Sequence, residues 1–476
     1  MQTVVDSNFK TQQEPFDLII LAAGLGTRMK SGKAKVLHEL GGKPLIAHVC
    51  RTARQLGPRN IYVVVGHQAA EVEAAVRQCV PGDVLRLITQ ATQRGTGDAV
   101  SAAREALKGS RATLMILSGD VPFIRPETLQ RLLELHRNSG AACSILSTRL
   151  ENPTGYGRIV RDENGKFRKI VEQKDASEAE REIREINSGF YCFDPQSLFS
   201  ALRRVKPANM QGEYYLTDVP AILGDSGKRI EVNFHSDARE LSGVNTRVEL
   251  AEFENLLRRR TIRALMLDGG VTFIDPSNAY ISADAQIGRD CVIHPEVVIE
   301  GDTVLGEGCV VRSGTRITNS RLGANVTVKD HCVIVDSEIG ANCSVGPFAH
   351  LRMNAWLAES SAVGNFVEIK KSKLGPRSKS MHLTYLGDAI IGEDTNIGAG
   401  TVTCNYDGKK KNQTIIEDHV RIGSDTMLVA PVTVGSRSVT GAGSVVIDDV
   451  PPDSLVAGVP AIVKKRLSET MGEKED

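Results

Sequence analysis

An aliphatic residue recurs at every sixth position in the second half of the chain, from about Ile281 to Val446. The first repeats are set by Ile281, Ile287, Ile293, Ile299, Leu305, Val311 and Ile317. A period of six fits neither the 3.6-residue period of a helix nor the two-residue period of a long amphipathic strand. It matches short strands joined by turns, with large side chains inside and glycines at the corners. The repeat therefore predicts a parallel β-helix.

The largest interruption of this repeat is a polar insertion at residues 405–412, which read NYDGKKKN. Its polar side chains and lysines have no core to enter, so the segment is predicted to leave the β-helix as a loop. If three hexapeptides form one coil and coils stack at the roughly 4.8 Å strand spacing, the whole region gives about nine coils.

Composition limits what the chain can bind. At 476 residues it exceeds one ordinary core and should hold two domains. Its 58 basic and 58 acidic residues balance, so partners are expected to be small molecules, with no nucleic acid and no membrane. The polar start lacks the apolar run of a signal peptide, and no later stretch is apolar enough to cross a membrane. The nine cysteines form no CxxC pair and are predicted to be core thiols of a cytoplasmic protein.

The first half begins with an apolar run, residues 16–23, which predicts a buried parallel strand. The turn Gly24–Met29 follows, and its backbone N–H groups and arginine are suited to bind phosphate. Further buried strands are predicted at 61–65 and 113–117 with helical patterns between them, which indicates a three-layer α/β domain. Such domains bind ligands at the carboxyl ends of their strands, where these residues fall: Arg28, Gln90, Gly95, Thr96 and Asp120.

Nine short motifs support a more specific interpretation of the first half. They are LAAGLGTRM at 21–29, KVL at 35–37, QA at 90–91, GTG at 95–97, SGDVP at 118–122, PTGYGR at 153–158, VE at 171–172, EIN at 185–187 and GVN at 243–245. In this order they resemble the sugar-1-phosphate nucleotidyltransferases. The resemblance implies that this half transfers a nucleotide to a sugar phosphate.

The second half is similar to the hexapeptide-repeat acyltransferases, whose coils are left-handed. That hand comes from the resemblance, since parallel crossovers ordinarily favour the right. With NFVEIKK at 365–371, HLTYLGD at 382–388 and CNYDG at 404–408, residues 18–464 as a whole resemble the bacterial bifunctional GlmU family. That family couples glucosamine-1-phosphate acetyltransferase to N-acetylglucosamine-1-phosphate uridyltransferase.

The resemblance implies a set of residues for uridyl transfer. Joining a sugar phosphate to UTP brings two polyanions together, so the site must neutralise charge and hold the groups in line. Asp120 and Asn245 offer hard oxygens and would hold Mg²⁺. Arg28 and Lys35 would be catalytic and face the triphosphate. UTP or UDP-N-acetylglucosamine would contact Leu21, Ala22, Ala23, Gly24, Lys35, Gln90, Gly95, Thr96, Gly155, Glu172, Asn187 and Asn245. Taken alone, Asp120 would be an ordinary turn carboxylate and Lys35 a surface lysine.

The resemblance implies a second set of residues, which would carry out acetyl transfer. The ammonium of glucosamine-1-phosphate must lose a proton before it attacks acetyl-CoA, and His382 is suited to accept that proton. The amine can attack directly, so Cys404 is expected to be a small hydrophobic residue and not a nucleophile. Taken alone, His382 would be a structural histidine. The sugar phosphate would contact Arg352, Lys370, Tyr385 and Asn396, and Glu368 would help to orient the amine or base.

The same resemblance assigns the acetyl-CoA site to Ala399, Asn405, Tyr406, Ser424 and Ala442. Relatives often have an arginine where this chain reads Ala457–Gly458–Val459, so Lys464 or Lys465 would substitute for it. Neighbouring β-helices would pack around a threefold axis as a homotrimer.

These interpretations divide the chain into five parts. A disordered tail is predicted at 1–16, a uridyltransferase domain at 17–247, a helical linker at 248–268, the β-helical acetyltransferase at 269–466 and a second tail at 467–476. Two alternatives remain: a single-function nucleotidyltransferase with a structural hexapeptide domain, and a non-catalytic scaffold. His382 and the 405–412 loop argue against the first alternative. Arg28, Lys35, Asp120 and Asn245 argue against the second.

Overall fold

The structure is a computed structural model and describes residues 14–466. The predicted tail at 467–476, and all but the last residues of the tail at 1–16, lie outside the described residues. The chain divides into two compact units, the first ending at Phe253 and the second beginning at Glu254. Every helix within residues 14–466 is too short or too polar to span a lipid bilayer.

A nine-stranded sheet forms the centre of the first unit. Seven strands lie side by side in the order Ile230–Phe234, Cys143–Arg149, Glu185–Phe193, Thr113–Ser118, Phe16–Leu21, Asn60–Val65 and Leu85–Thr89. Neighbours in this row are parallel, except that Glu185–Phe193 is antiparallel to both of its neighbours. The remaining strands, Arg158–Arg161 and Phe167–Val171, form an antiparallel pair that joins the sheet through Glu185–Phe193.

Alternating residues of the central strand pack into different hydrophobic clusters. Leu18 and Ile20 belong to one cluster and Ile19 to another, and all three side chains are fully buried. Burial on both faces explains why this strand is a continuous apolar run. The helices of the unit are Leu45–Gln55, Ala69–Arg77, Thr96–Ala102, Pro126–Ser139, Glu178–Arg181, Pro195–Leu202, Val219–Asp225 and Ala238–Leu241. Short 3-10 helices span Thr27–Met29, Lys35–Leu37 and Leu216–Asp218, and Glu39–Leu40 pairs with Lys43–Pro44.

Three parallel sheets form the faces of a prism in the second unit, here called faces one, two and three. Face one contains Thr272–Phe273, Val292–Ile293, Val310–Val311, Thr327–Val328, Ser344–Val345, Ala362–Asn365, Lys379–His382, Asn396–Ile397, Arg421–Ile422, Val439–Thr440, Ser454–Gly458 and the antiparallel Ala461–Arg466. Face two contains Tyr280–Ile281, Val298–Glu300, Arg316–Thr318, Val333–Val335, His350–Arg352, Glu368–Lys370, Tyr385–Gly387, Val402–Cys404, Met427–Val429 and Val445–Val446. Face three contains Gln286–Ile287, Val304–Leu305, Arg321–Leu322, Glu338–Ile339, Trp356–Leu357, Lys373–Leu374, Ala389–Ile391, Thr414–Ile416 and Val432–Val434.

The aliphatic repeat lines the inside of this prism. On face two, each repeat residue pairs with the next one along the prism, in the series Ile281, Ile299, Ile317, Ile334, Leu351, Ile369 and Leu386. All of them belong to one hydrophobic cluster. Corners are tight, since a Cβ built on Gly306 would lie 2.6 Å from the carbonyl carbon of Gly323 in the next coil. The predicted fold class is therefore confirmed: an α/β domain followed by a left-handed parallel β-helix of hexapeptide repeats.

Two local predictions also agree with the structure. Cys291, Cys309, Cys332 and Cys343 are buried free thiols inside the prism, as the repeat predicts. A helix spans Arg247–Leu267, which agrees with the helical pattern predicted at 248–268, whereas the role of this segment as a linker stays a prediction.

Candidate functional sites

A cleft of about 450 Å³ opens at the carboxyl ends of the central strands of the first unit. Its walls come from the loop after Phe16–Leu21, the segment after Leu85–Thr89, the residues that follow Thr113–Ser118, and the loop before the helix Arg247–Leu267. The structure brings these predicted residues together in the cleft: Leu21, Ala22, Ala23, Gly24, Arg28, Lys35, Gln90, Gly95, Thr96, Asp120 and Asn245. Parallel strands end at one edge of a sheet, which is why residues distant in sequence meet here.

Two oxygen-bearing side chains share one ammonium group in this cleft. The Lys35 Nζ forms an ion pair with the Asp120 carboxylate and lies 3.2 Å from Asn245 Oδ1. Arg28 Nη2 donates a second hydrogen bond to the same Asn245 oxygen, at 2.8 Å. A carboxylate and an amide oxygen that face one cation are the hard donors that Mg²⁺ prefers. The residues present therefore fit a divalent ion.

The backbone around Asn245 is fixed from two directions. The N–H of Val244 donates to the carbonyl of Asp120 at 2.9 Å, which joins the two predicted metal-binding segments. Glu249 Oε2 accepts hydrogen bonds from the backbone N–H of Asn245 at 2.6 Å and of Thr246 at 2.8 Å. Thr246 Oγ1 accepts from the backbone N–H of Glu249 at 3.2 Å, so Thr246 and Glu249 form a reciprocal cap at the start of the helix Arg247–Leu267.

The predicted nucleotide end of the cleft has a tight backbone. Gly95 has a φ of 107°, and a Cβ there would lie 2.6 Å from the carbonyl oxygen of Tyr214. The N–H of Gly97 donates to that same carbonyl at 2.7 Å, and Thr96 Oγ1 accepts from the N–H of Leu216 at 3.0 Å. A glycine is therefore required where this loop packs against the segment around Tyr214.

Gly155, Glu172 and Asn187, predicted to bind the sugar, do not line this cleft but lie beside it. A Cβ on Gly155 would be 2.9 Å from Arg28 Nη1, and one on Gly157 would be 3.4 Å from Glu172 Oε1. The N–H of Asn187 donates to the carbonyl of Gly157 at 2.9 Å. Burial raises the pKa of Glu172, and the hydrogen bond that its carboxylate accepts from Thr217 at 3.1 Å acts in the opposite direction. These residues therefore form a connected wall next to Arg28.

Some cleft residues were missed by sequence reasoning. Gln93, Gln211 and Glu213 line the cleft, although no strand end or phosphate-binding turn marks them. The segment Gln211–Tyr215 lies over Gly95 and Gly97 through hydrogen bonds between distant parts of the chain. The periodicity of apolar residues does not report such contacts.

His382 lies at the corner between faces one and two of the prism and is exposed. Its Nδ1 is 2.7 Å from Oδ1 of Asn365, the residue that pairs with it on the preceding coil. An amide oxygen only accepts, so Nδ1 carries the hydrogen and the neutral ring offers the lone pair of Nε2. Asn365 was absent from the predicted site, although it begins the NFVEIKK motif.

Cationic side chains gather near the corner between faces two and three. Arg352 and Lys370 occupy paired positions on neighbouring strands, and Arg352 forms an ion pair with Glu368 at 2.6 Å. Lys370 is 5% exposed, and contact with Lys411 of the polar insertion lowers its pKa, with burial as the second cause. Two neighbouring ammonium groups favour an anion at this position, such as a phosphate.

The insertion begins at this second corner. Asn405 is buried and donates its amide to Asp388 at 2.7 Å, whereas Tyr406 is exposed. Tyr406 also forms an isolated antiparallel bridge with Lys411, which closes residues 405–412 into a loop. The predicted departure of this segment from the β-helix is seen directly in the structure. Tyr385 Oη and Asn405 Nδ2 converge over Gly387, where a side chain would collide with both atoms.

The other predicted acetyl-CoA residues lie on the same corner as His382. The N–H of Gly400 donates to the carbonyl of His382 at 3.3 Å, so Ala399 lies one coil further along. The backbone N–H of Asp425 donates to the carbonyl of Ala399 at 2.6 Å, and the backbone N–H of Gly443 donates to the carbonyl of Ser424 at 2.8 Å. Ala399, Ser424 and Ala442 thus form a row of small residues, and Asn396 lies on face one. Lys464 and Lys465 lie on the exposed last strand.

The predicted acetyl-transfer residues therefore occupy two corners of one prism. His382 and the row from Ala399 lie at the corner between faces one and two. Asn405 and Tyr406 follow Val402–Cys404, at the corner between faces two and three. Within one chain, a strand of face two separates the two groups.

Comparisons with known proteins agree with both halves. The family model of the MobA-like NTP transferase domain matches residues 18–206, that of the GMPPB C-terminal domain matches 276–380, and that of the hexapeptide repeat of succinyl-transferase matches 413–447. The bifunctional protein GlmU of Heliobacterium modesticaldum is 49% identical over 449 residues, which cover 94% of this chain and 95% of that protein. The proteins of the same name from Syntrophomonas wolfei and Corynebacterium glutamicum are 46% and 47% identical, each over 92% of this chain and over 96% and 90% of their own lengths.

Proposed function

The chain belongs to the bifunctional GlmU family, and from this premise we propose how its two sites divide the work. The protein is a bifunctional transferase of UDP-N-acetylglucosamine synthesis. It transfers acetyl from acetyl-CoA to glucosamine-1-phosphate and uridyl from UTP to N-acetylglucosamine-1-phosphate, with release of pyrophosphate. We assign the uridyl transfer to the cleft of the first unit and the acetyl transfer to the prism.

In the cleft, Arg28 and Lys35 bind the triphosphate, and Gln90, Gly95 and Thr96 bind the base. Gly155, Glu172 and Asn187 orient the amino sugar so that its phosphate faces the α-phosphorus in line. Asp120 and Asn245 hold the divalent ion, which we take to be Mg²⁺. Bound there, the ion neutralises phosphate charge. The observation that carries this assignment is the shared contact of Asp120 and Asn245 with one Lys35 ammonium in a cleft of nucleotide-binding residues.

In the prism, His382 Nε2 takes a proton from the ammonium of glucosamine-1-phosphate, and Asn365 holds the ring in the tautomer that leaves Nε2 free. Arg352 and Lys370 bind the phosphate, while Tyr385 and Asn396 contact the sugar. The free amine then attacks the thioester carbon, the C–S bond breaks, and coenzyme A leaves as its thiol with the second proton that the nitrogen loses as the amide forms. Acetyl-CoA lies against Ala399, Ser424 and Ala442 on one side and against Asn405 and Tyr406 on the other.

We propose that the prisms assemble as a homotrimer and that each acetyl-transfer site is shared between two subunits. His382 and Asn405 lie at different corners of one prism, and the loop of a neighbouring subunit would bring its Asn405 to the acetyl-CoA that lies beside His382. Closed cyclic assembly is a common arrangement for such faces.

Mixing inactive subunits tests this sharing. His382→Ala and Asn405→Ala proteins, each inactive in acetyl transfer, should regain activity when they are denatured together and refolded. Roughly a quarter of the interfaces in random trimers then combine an intact His382 with an intact Asn405, so acetyl transfer should approach that fraction of the wild-type rate. The measurement is thiol release from acetyl-CoA. Full activity in a demonstrated monomer would contradict the shared site.

Nucleotide choice gives a second prediction. UTP should exceed ATP and GTP by about 100-fold or more in kcat/KM, since the polar groups around Gln90 and Gly95 would be left unpaired by a purine. Pyrophosphate release with each nucleotide and N-acetylglucosamine-1-phosphate measures the preference. Comparable turnover with ATP would contradict the assignment of Gln90, Gly95 and Thr96 to uracil.

The single-function alternative is decided by thiol release from acetyl-CoA with glucosamine-1-phosphate, measured separately from pyrophosphate release. A nucleotidyltransferase with a structural prism would release pyrophosphate only.

We also propose a cytoplasmic location. The nine cysteines are all free, and most are buried, which suits a reducing compartment.

A further inference from the structure

The side-chain amide of Gln90 is held by acceptors inside the protein. Its Nε2 donates to Asp98 Oδ2 at 2.8 Å and to the carbonyl of Gly95 at 3.2 Å. Gln90 is 5% exposed and lines the cleft. An amide nitrogen has two hydrogens, and both are used by these bonds. The group that Gln90 can offer to a ligand is therefore its carbonyl oxygen, an acceptor.

Asp98 determines this orientation by its chemistry. An ionised carboxylate only accepts hydrogen bonds, so the amide must turn its nitrogen toward Asp98. Arg94 Nη2 donates to the other oxygen, Oδ1, at 2.9 Å, and the Asp98 side chain is only 17% exposed. Each oxygen of Asp98 thus has its own donor, one from Gln90 and one from Arg94. Gln90 cannot rotate without placing its own oxygen against a carboxylate.

We propose that Asp98 is a specificity-determining residue that makes the cleft select uracil over cytosine. Uracil carries a hydrogen at N3 and donates it to Gln90 Oε1, whereas cytosine has a lone pair at N3 that faces the same oxygen. Asp98 touches no substrate and acts by fixing Gln90. This inference rests on the proposed function, in which Gln90 contacts the base.

The replacement of Asp98 by asparagine reverses the constraint. Asparagine has one acceptor oxygen, and the charged Arg94 competes for it more strongly than the Gln90 amide does. The asparagine N–H₂ then faces Gln90, which gives up its longer bond to the Gly95 carbonyl, turns its oxygen inward and presents N–H to the cleft. Cytosine N3 accepts from that N–H, and uracil N3–H is repelled by it.

The test compares kcat/KM for UTP and CTP in pyrophosphate release with N-acetylglucosamine-1-phosphate. Wild type should prefer UTP by about 100-fold or more, and Asp98→Asn should lower that ratio at least about tenfold. Asp98→Ala leaves only the 3.2 Å bond to the Gly95 carbonyl to hold the amide, so it should lower the ratio as well, but by less than Asp98→Asn does. Asp98→Glu keeps an acceptor-only group and should retain most of the preference. Thiol release at the other site of the same chain controls for folding and enzyme concentration.

Arg94 provides a matched control. Arg94→Met leaves the carboxylate in place and should keep the UTP preference. Adding Arg94→Met to Asp98→Asn returns the asparagine oxygen to Gln90, so the double variant should recover preference for UTP. An unchanged ratio in both folded Asp98→Asn and Asp98→Ala would overturn the inference while uridyl transfer itself stands. Wild type that turns over neither nucleotide would instead refute the proposed function.

Discussion

Replacing Asp120 by asparagine is expected to abolish uridyl transfer while acetyl transfer continues at the wild-type rate. The substitution keeps the shape of the side chain and removes its charge. The oxygens at positions 120 and 245 should then bind the metal ion more weakly. Substitution of a residue that only supports a metal ligand typically lowers metal affinity or activity roughly 10–100-fold. Substitution of a ligand itself should therefore lower uridyl transfer by more than about 100-fold. Pyrophosphate release measures one activity and thiol release the other.

A direct binding measurement accompanies this prediction. Mn²⁺ titration in the presence of UTP, followed by electron paramagnetic resonance, should show weaker binding in Asp120→Asn. Asp162→Asn is the matched control, since Asp162 lies exposed in a hairpin turn away from the cleft and should behave as wild type. Equal loss of both activities in a folded Asp120→Asn protein would contradict the division of labour between the units.

His382→Ala should lose acetyl transfer by about 100- to 10,000-fold, the contribution typical of a general base, with uridyl transfer intact. The acceptor amine is protonated near neutral pH, and the alanine variant has no imidazole to take that proton. Residual activity should therefore rise with pH as free amine becomes available from solution. Thiol release across a pH series measures this.

The chain offers a control for His382 on the same prism. His419 is exposed at another corner and has no part in the proposed site, so His419→Ala should keep full acetyl transfer. If folded His382→Ala protein acetylates glucosamine-1-phosphate near the wild-type rate, another group must accept the proton and the assignment is wrong.

The architecture was predictable because the repeat itself encodes it. Ile281, Ile299 and Ile317 recur at a spacing that places each one over the next in successive coils, and the structure pairs them in that way. The corners leave room only for small residues. A glycine such as Gly306 in the sequence therefore predicts a corner, and the structure has a corner there.

The cleft was predictable in part, for a topological reason. Arg28 and Asp120 follow strands that are neighbours in a parallel sheet, and such strand ends converge. The helix cap formed by Thr246 and Glu249 also had a sequence signal, a threonine followed three residues later by a glutamate. This cap fixes the backbone of Asn245, because Glu249 accepts a hydrogen bond from its N–H.

Other contacts had no signal in the sequence. Asp98 meets Gln90 because the helix Thr96–Ala102 begins close to the end of a strand, and the pattern of apolar residues does not report which way an amide turns. Asn365 meets His382 one coil apart, which requires the exact register of face one. The distribution of His382 and Asn405 over two corners likewise follows from the order of the faces, which motifs alone do not give.

Formation of UDP-N-acetylglucosamine from glucosamine-1-phosphate, acetyl-CoA, UTP and Mg²⁺ is the most direct measurement of the claim that one chain carries two separate transferase sites. Product can be followed by mass spectrometry with Asp120→Asn protein, with His382→Ala protein, and with both together. We expect almost no product from either variant alone and clear product from the mixture, because the Asp120→Asn protein supplies the acetylated sugar phosphate that the His382→Ala protein consumes. Failure of the mixture, with both proteins folded, would contradict it.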